Sequence, residues 1–316
     1  MRMALQRLVS IVPTVLLVLL VTMLLLRLSP TDPAQVYAGV GASPEEITDV
    51  RHRLGLDVDL LTRYVHYLVG ALSGDLGTSF RTGRPVLDSI ASTLTVTGQL
   101  VAVAMMMTIL VAVPLGLVAA LHRGQWIDRC VVAVSSLMVG VPSFVAALVL
   151  IALVSVQAGL VPVMGYVSLT DDPVRWFSSL VLPATALALP LAAELIRQLR
   201  GSLVGILGED FIRVQQAKGL LRRQVVGKHA VKNAANPVIT VLGLQLSRLI
   251  EGAVIVETIF VLPGFGNMTY SAILSHDYPV IQGVVLVSAV LVVFLNMIVD
   301  VLCLYFNPRL RSPVGV

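Results

Sequence analysis

The polar and basic stretch DFIRVQQAKGLLRRQVVGKHAVKNA, from Asp210 to Ala234, lies between two apolar segments of the chain. Eight of the 22 lysine and arginine residues fall between Arg197 and Lys232. The stretch contains no recognisable catalytic group. A membrane protein with one large basic connector of this kind is expected to use it to contact a partner in the cytoplasm.

The composition indicates a membrane protein. The 316 residues are 57% hydrophobic and 13% charged, whereas soluble domains carry about 25% charged residues. Six segments hold the roughly 20 mainly apolar residues that a helix needs to cross the hydrocarbon core. They run from Leu8 to Leu28, Thr93 to Leu121, Cys130 to Val156, Leu180 to Leu199, Ala235 to Phe260 and Val280 to Phe306. The sequence therefore predicts an all-α integral membrane protein with six transmembrane helices.

Pro114, Pro142, Pro183 and Pro190 are among the prolines that lie inside these segments. Proline removes a helical hydrogen bond, but neighbouring helices can satisfy the freed backbone groups in a membrane. We expect kinks at these positions rather than helix ends.

The chain divides into a first helix (1–28), a loop (29–92), a core (93–306) that includes the connector 200–234, and a tail (307–316). In the loop, Ser43 is a good N-cap, with Pro44 at the first helical position and acidic residues in the first turn. A second helical segment is expected near Leu60 to Leu72. The loop is predicted to form a small extracytoplasmic layer.

The distribution of basic residues predicts the orientation. Fourteen of the 22 lysines and arginines lie on the side of the N-terminus, and six lie in the opposite segments. The opposite segments are also rich in acid, Asp277 included. Because cytoplasmic loops carry an excess of lysine and arginine, both termini are predicted to be cytoplasmic.

Motifs of common catalytic sites are absent from the sequence. There is no G-x-x-x-x-G-K-[ST] phosphate loop, so the chain is not expected to hydrolyse ATP itself. There is no nucleophile elbow, and the five histidines are scattered, so neither a catalytic residue nor a metal or cofactor site is predicted. A transport subunit driven by another protein fits best. An intramembrane enzyme and a non-transport scaffold or receptor are the other classes considered.

Part of the connector has the pattern of a short amphipathic helix. Phe211, Val214 and Ala217 recur at three-residue spacing and form one apolar stripe. Asp210 can cap the helix or complement its dipole, and Gly219 can take the left-handed conformation that ends it. Such a helix can fill a groove on a soluble partner or rest on lipid headgroups. The two interpretations are equally supported by the residues alone.

Two charges, Arg248 and Glu251, lie near the middle of a predicted span. A charge at a helix centre costs about 2.5–3.5 kcal/mol on insertion scales, so each requires water or a partner. The spacing of three residues permits an ion pair between them. We expect these residues to face a translocation cavity or a partner subunit in the membrane rather than lipid, with a buried structural pair as the alternative. Glu194 and Arg197 are expected to reach the interface from an inner helix end.

The connector resembles the EAA-type loop of type I ABC importer permeases, most closely in the peptide/opine/nickel branch. The matching positions are Asp210, Phe211, Ile212, Arg213, Ala217, Lys218, Gly219, Leu220 and His229. The sequence departs from the pattern at Val214, Gln215 and Gln216, and Gln215 occupies the last alanine place of the triplet.

The resemblance extends over nearly the whole chain. The segments that carry it are Leu28–Pro33, Leu54–Asp57, Arg63-Tyr64, Gly74–Ser79, Pro142–Phe144, Glu257–Phe260, Pro263–Gly266 and the tail Asn307–Arg311. Each is weak alone, but their order and spacing together are specific.

The resemblance implies a permease subunit with one peripheral N-terminal helix and a five-helix core, in a bacterial inner membrane. It implies partners: a second homologous permease, two ATPase subunits that use ATP and Mg²⁺, an extracytoplasmic solute-binding protein and membrane lipid. Di- or oligopeptides are the leading substrate, and nickel or a metallophore, an opine and haem stay open. The ATPase-coupling positions it implies are Asp210, Phe211, Arg213, Gln215, Gln216, Ala217, Lys218, Gly219, Leu220 and His229.

Overall fold

The computed structural model describes residues 2–28, 32–39 and 41–306. These residues are mainly helical and contain no β-strand, apart from an isolated bridge between Thr78 and Pro85. The all-α prediction is confirmed. The tail motif Asn307–Arg311 and the residues Ser29, Pro30 and Thr31 lie outside the described residues.

Thirteen α-helices occur in the described part of the chain. They are α1 Arg2–Leu28, α2 Pro33–Ala38, α3 Pro44–Arg53, α4 Leu60–Leu72, α5 Val86–Leu121, α6 Trp126–Val139, α7 Ser143–Leu150, α8 Pro173–Leu207, α9 Asp210–Ala217, α10 Arg222–Gln224, α11 Val231–Ile259, α12 Phe265–Leu274 and α13 Tyr278–Phe306. Two π-helical segments, Ile151–Gln157 and Val225–Ala230, follow α7 and α10.

The chain forms two compact units. The first comprises residues 1–97 and 263–294, and the second comprises residues 98–262 and 295–316. The long helices α5 and α13 contribute residues to both.

The predicted helices of the loop 29–92 are confirmed. Ser43 Oγ accepts a hydrogen bond from the Glu46 amide (3.3 Å), and the Glu46 carboxylate accepts one from the Ser43 amide (2.7 Å). This reciprocal cap starts α3, and the bond from the Ser43 amide holds the pKa of Glu46 below its usual value. Asp59 caps α4, which runs from Leu60 to Leu72 as predicted.

Among the residues that the structure describes, four helical segments are long and apolar enough to cross a membrane: Val86–Leu121, Pro173–Leu207, Pro237–Ile259 and Tyr278–Val299. A fifth span is possible if α6 and the helix Ser143–Gln157, which are bent by 103° at their junction, are counted as one. In α1, the apolar part Pro13–Leu26 is shorter than these spans. The count of six therefore stays a prediction.

The expectation of a kink rather than an end at Pro142 is wrong. The helix α6 ends at Val139, Pro142 is extended (φ −61°, ψ 146°), and α7 starts at Ser143. Proline also disfavours the helical conformation of the residue before it, and Gly140 adds a weak helix former at the same place. The helices do continue through Pro114, Pro183 and Pro190, as predicted.

One hydrophobic cluster forms the core of the first unit. It contains Leu76, Val86, Ile90, Phe265 and Val284, all at most 5% exposed. The cluster packs the start of α5 against α12 and the start of α13.

A buried carboxylate fixes the loop next to this cluster. Asp277 is 3% exposed and precedes α13 directly. It accepts hydrogen bonds from the Ser79 hydroxyl (2.6 Å) and from the amides of Phe80 (3.1 Å) and Arg81 (3.4 Å). A buried charge is tolerated when it is bonded in this way, so Asp277 holds residues 79–81 in place.

Close packing of α13 on α5 requires a glycine at position 283. A Cβ there would lie 2.6 Å from Val86 Cγ1, so we expect Gly283→Ala to lower the free energy of unfolding by about 1–3 kcal/mol through overpacking. Thermal unfolding in detergent measures this loss. Gly98→Ala is the matched control, because the space around Gly98 in α5 is open. A Gly283→Ala variant as stable as Gly98→Ala would contradict the packing account.

Candidate functional site

The connector between the spans α8 and α11 is the candidate site. After α8, Glu209 adopts an extended conformation (φ −70°, ψ 149°), and α9 begins at Asp210. Asp210 lies in the first turn of α9 and pairs with Arg213 at 3.3 Å. The Asp210 carboxylate therefore lies at the N-terminus of α9, where it complements the helix dipole as predicted. The N-cap position itself is occupied by Glu209, whose side chain makes no capping hydrogen bond.

One buried side chain attaches α9 to the core of the second unit. Ile212 is fully buried and belongs to a cluster with Leu195, Leu199, Leu203 and Val225. This burial locks one face of α9 against the end of α8 and the segment after α10.

The opposite face of α9 carries the predicted apolar stripe. Phe211 and Val214 are 41% and 50% exposed, and Ala217 is also exposed. Arg213, Gln216 and Lys218 flank the stripe on the surface. An exposed apolar stripe on an otherwise anchored helix is suited to contact with another molecule.

The glycine stop of α9 is confirmed. Gly219 has φ +79°, a conformation that glycine adopts without strain. Its amide donates to the Gln216 carbonyl (2.9 Å), and the Leu220 amide donates to the Gln215 carbonyl (3.4 Å). Leu220 and Gln215 are half-buried. The chain therefore turns sharply at the end of the stripe.

The basic segment after α9 is partly core. Val225, Val226 and Ala230 are buried, whereas Lys228 is exposed. His229 is half-buried, and its carbonyl accepts a hydrogen bond from Asn233 Nδ2 (2.7 Å). The apolar residues of the π-helical segment fix this stretch to the protein, whereas Arg223, Lys228 and Lys232 are exposed.

A second ion pair joins Arg200, the first residue of the predicted connector 200–234, to Asp128 in α6. Asp128 is 3% exposed and accepts hydrogen bonds from Arg200 (Nη2–Oδ2, 2.7 Å) and from the Gly124 amide (2.9 Å). Arg200 lies in α8, not in a loop. The pair ties the start of α6 and the turn before it to the last third of α8.

The ion pair that the spacing of Arg248 and Glu251 permits is not formed. Arg248 Nη1 instead contacts Glu194 Oε2 at 2.8 Å, and Glu251 is exposed. The neighbouring helix α8 supplies a carboxylate within reach of Arg248, so the ion pair joins two helices rather than two residues of α11. Glu194 therefore has an ion-pair partner within the protein, which the sequence analysis did not predict.

A buried polar side chain and a cavity lie near the ion pair between Arg248 and Glu194. Gln245 is fully buried and donates from Nε2 to the Leu191 carbonyl (3.0 Å). A cavity of about 230 Å³ lies beside the break at Pro142. Its walls include Ser143, Leu187, Pro190, Arg248 and Gly252. Arg248 stays 58% exposed at its side chain, which is unusual for a charge in the middle of an apolar helix.

Sequence reasoning missed the partners in both interhelical pairs. It counted Arg200 only among the basic residues of the connector and assigned no role to Asp128. A lone acid in the short basic segment around His122, Arg123 and Arg129 was the available signal. No pattern along one helix reveals which neighbouring helix supplies the partner.

Comparisons with known proteins agree along the length of the chain. Residues 112–312 match the family model described as a binding-protein-dependent transport system inner membrane component, and residues 1–101 match the model of its N-terminal part. A putative peptide transport system permease protein of Brucella abortus is 40% identical, with 97% of this chain and 98% of that protein covered. The dipeptide transport system permease protein DppB of Escherichia coli K12 is 37% identical with the same coverage.

A solved structure supports the fold. The inward-facing methionine ABC transporter MetNI contains a chain that superimposes with a TM-score of 0.56 and 18% identity. The match covers 69% of this chain and 96% of that chain. At this identity the likeness concerns the fold alone.

The two Asp–Arg pairs provide a prediction about stability. Asp128→Asn should lower the free energy of unfolding by about 1.5–3 kcal/mol, because a buried charged hydrogen-bond network loses its charge. Asp210→Asn is the control, since Asp210 and Arg213 are exposed and such a surface pair is worth at most about 1 kcal/mol. Thermal or denaturant unfolding of the purified chain compares the two. Equal losses would show that the Asp128–Arg200 pair is not a structural tie.

Proposed function

Because this chain belongs to the family of binding-protein-dependent transport system inner membrane components, we propose that it is the permease subunit of an ATP-driven importer of di- or oligopeptides. The chain is an integral inner membrane protein. The likeness to permeases named for peptide and dipeptide transport covers 97% of the chain and supports this substrate class. The observation that carries the mechanism is the anchored helix α9 with its exposed apolar stripe.

In this proposal the chain forms half of the translocation pathway. A second, homologous permease forms the other half, and an extracytoplasmic binding protein delivers the peptide. Two separate subunits hydrolyse ATP with Mg²⁺. The sequence has no phosphate loop, which is consistent with a chain that depends on these subunits for energy.

The geometry of α9 suits it for coupling. Phe211, Val214 and Ala217 would fill a groove on the ATPase subunit, as amphipathic helices do. The buried Ile212 packs against α8, so a displacement of α9 would be passed to the core of the second unit rather than lost in a loop. Coupling further requires that the docked helix bind the nucleotide states of the ATPase with different affinities.

The proposed orientation places both termini and the connector in the cytoplasm. The excess of lysine and arginine on that side supports it. With this orientation α9 faces the compartment that contains ATP, and the segment between α1 and α5 faces the binding protein.

The charged surface around Arg248 is proposed to line the pathway or to contact the second permease. Arg248 and Glu251 are exposed, and Glu194 is partly exposed, within helices long enough to span the membrane. Charges exposed to lipid at this depth would be costly. A water-filled pathway or a permease interface removes that cost.

The first test concerns docking of the ATPase. Phe211→Glu should weaken binding of the ATPase subunits by about 2 kcal/mol, about 30-fold, because it places a charge in the apolar contact. Copurification and substrate-stimulated ATPase activity measure the loss. Val58→Glu is the control, since Val58 is also 41% exposed but lies in the loop before α4. Full copurification with Phe211→Glu, at unchanged thermal stability, would argue against the coupling role of α9.

The second test concerns the pathway. Glu251→Gln removes a carboxylate from the proposed pathway surface, so uptake of lysine-containing peptides should fall by about tenfold and uptake of acidic peptides should change less. Uptake into proteoliposomes with the complete transporter measures both. Glu45→Gln, in the exposed first turn of α3, controls for the loss of a charge. Unchanged uptake of all peptides at normal assembly would remove Glu251 from the pathway.

A further inference from the structure

Residues 79–84 form a small closed turn in the first unit. The Ser79 amide donates to the Arg84 carbonyl (2.9 Å), and the Gly83 amide donates to the Ser79 carbonyl (2.9 Å). The Val86 amide donates to the Gly77 carbonyl (2.9 Å), where α5 begins. Together with the bonds to Asp277, these contacts give the turn a defined shape.

The turn presents two exposed arginines, Arg81 and Arg84. Neither Arg81 nor Arg84 forms an ion pair among the residues that the structure describes. The carboxylate of Asp277 binds the amide of Arg81 rather than its guanidinium group.

Arg63 aside, the three other arginines on the proposed extracytoplasmic side all form an ion pair. Each has an acidic partner: Arg51 pairs with Asp32, Arg53 with Asp49 and Arg175 with Asp172. Unpaired arginines are therefore a specific property of the turn and not a general property of this side of the chain.

Both arginines line a cavity of about 420 Å³. This volume lies within the range of about 300–1,000 Å³ that is common for small-ligand sites. The other lining residues come from the turn, from α5 and from α12 and the residues that follow it. They are Ser79, Thr82, Ser89, Ser92, Thr93, Met268, Ser271, Ala272, Ser275, Asp277 and Val280.

The lining combines charge, hydroxyl groups and an apolar part. Ser271 has no hydrogen-bond partner for its hydroxyl group in the described part of the chain, so it can donate to a ligand. Met268, Ala272 and Val280 supply apolar surface for a side chain. Two guanidinium groups beside such a surface suit an organic acid, because the planar guanidinium fork matches a carboxylate.

We propose that this cavity binds the C-terminal carboxylate of the peptide that the transporter imports, with Arg81 and Arg84 as the carboxylate-binding residues. The inference rests on the proposed function, since it takes the cargo to be a peptide and the turn to be extracytoplasmic. Every linear peptide with a free C-terminus carries this group, whatever its sequence. A site for it favours peptides without restricting their side chains.

The experiment uses the assembled transporter in lipid nanodiscs without the binding protein. Binding of alanyl-phenylalanine is compared with binding of its C-terminal amide by saturation-transfer NMR or calorimetry. The wild-type transporter should bind the free acid about tenfold more tightly than the amide. The double variant Arg81→Gln/Arg84→Gln should lose this difference.

Two further variants sharpen the result. Arg53→Gln removes an arginine that is already paired with Asp49, so it should keep the preference for the free acid. Arg81→Lys/Arg84→Lys keeps the charge and loses the fork, and should give an intermediate preference. The bonds from the turn to Asp277 come from the Ser79 hydroxyl and from backbone amides, so the turn should persist in these variants, and thermal unfolding checks it.

Equal binding of acid and amide by the wild type, or an unchanged preference in the double variant, would overturn the proposal. A double variant that binds the peptide normally but has lost affinity for the binding protein would also overturn it, and would make the turn a docking surface. ATP-driven peptide uptake by the same purified wild-type transporter, reconstituted into proteoliposomes together with the binding protein, separates the two levels. Absence of any peptide uptake rejects the proposed function, whereas normal uptake without an acid–amide difference rejects only this site.

Discussion

The absence of water in the hydrocarbon core is the constraint on which the structure of this chain depends. Backbone groups there must bond within the protein, and the described part of the chain is accordingly mainly helical and contains no β-strand. The same constraint governs the few polar side chains in the spans. Gln245 donates to the carbonyl of Leu191, and Arg248 pairs with Glu194. Each of these contacts joins α8 to α11, so the polar residues also specify which helices are neighbours.

The helix α9 combines two contacts that belong to different faces. Ile212 is fully buried against α8, whereas Phe211 and Val214 are exposed. Adjacent residues of a helix point about 100° apart, so a helix of eight residues can be anchored and still present an apolar surface. The left-handed turn at Gly219 ends that surface sharply. A contact made by the stripe is thereby connected to the end of a long span.

The first unit is organised around one buried acid. Asp277 binds the turn 79–81 at the start of α13, next to the cluster formed by Leu76, Val86 and Val284. Because the carboxylate is satisfied by these donors, the arginine side chains of the turn keep their charge for another partner. A structural contact and a proposed ligand site therefore share one short segment.

The sequence by itself determined the class of the protein, because hydrophobic length, basic bias and local capping act over a few residues. It predicted α3 from Ser43 and Pro44, α4 from Leu60 to Leu72, and the stop of α9 at Gly219, and the structure confirms these features. At Pro142 the sequence predicted a kink, whereas the helix ends there, since a local pattern does not show whether neighbouring helices will support a kink.

Only the tertiary structure decided that Arg248 pairs with Glu194 rather than Glu251, that Arg200 pairs with Asp128, and that Asp277 orders the turn of residues 79–84. Each of these contacts joins residues more than 50 positions apart, and their partners are chosen by helix packing rather than by spacing along the chain.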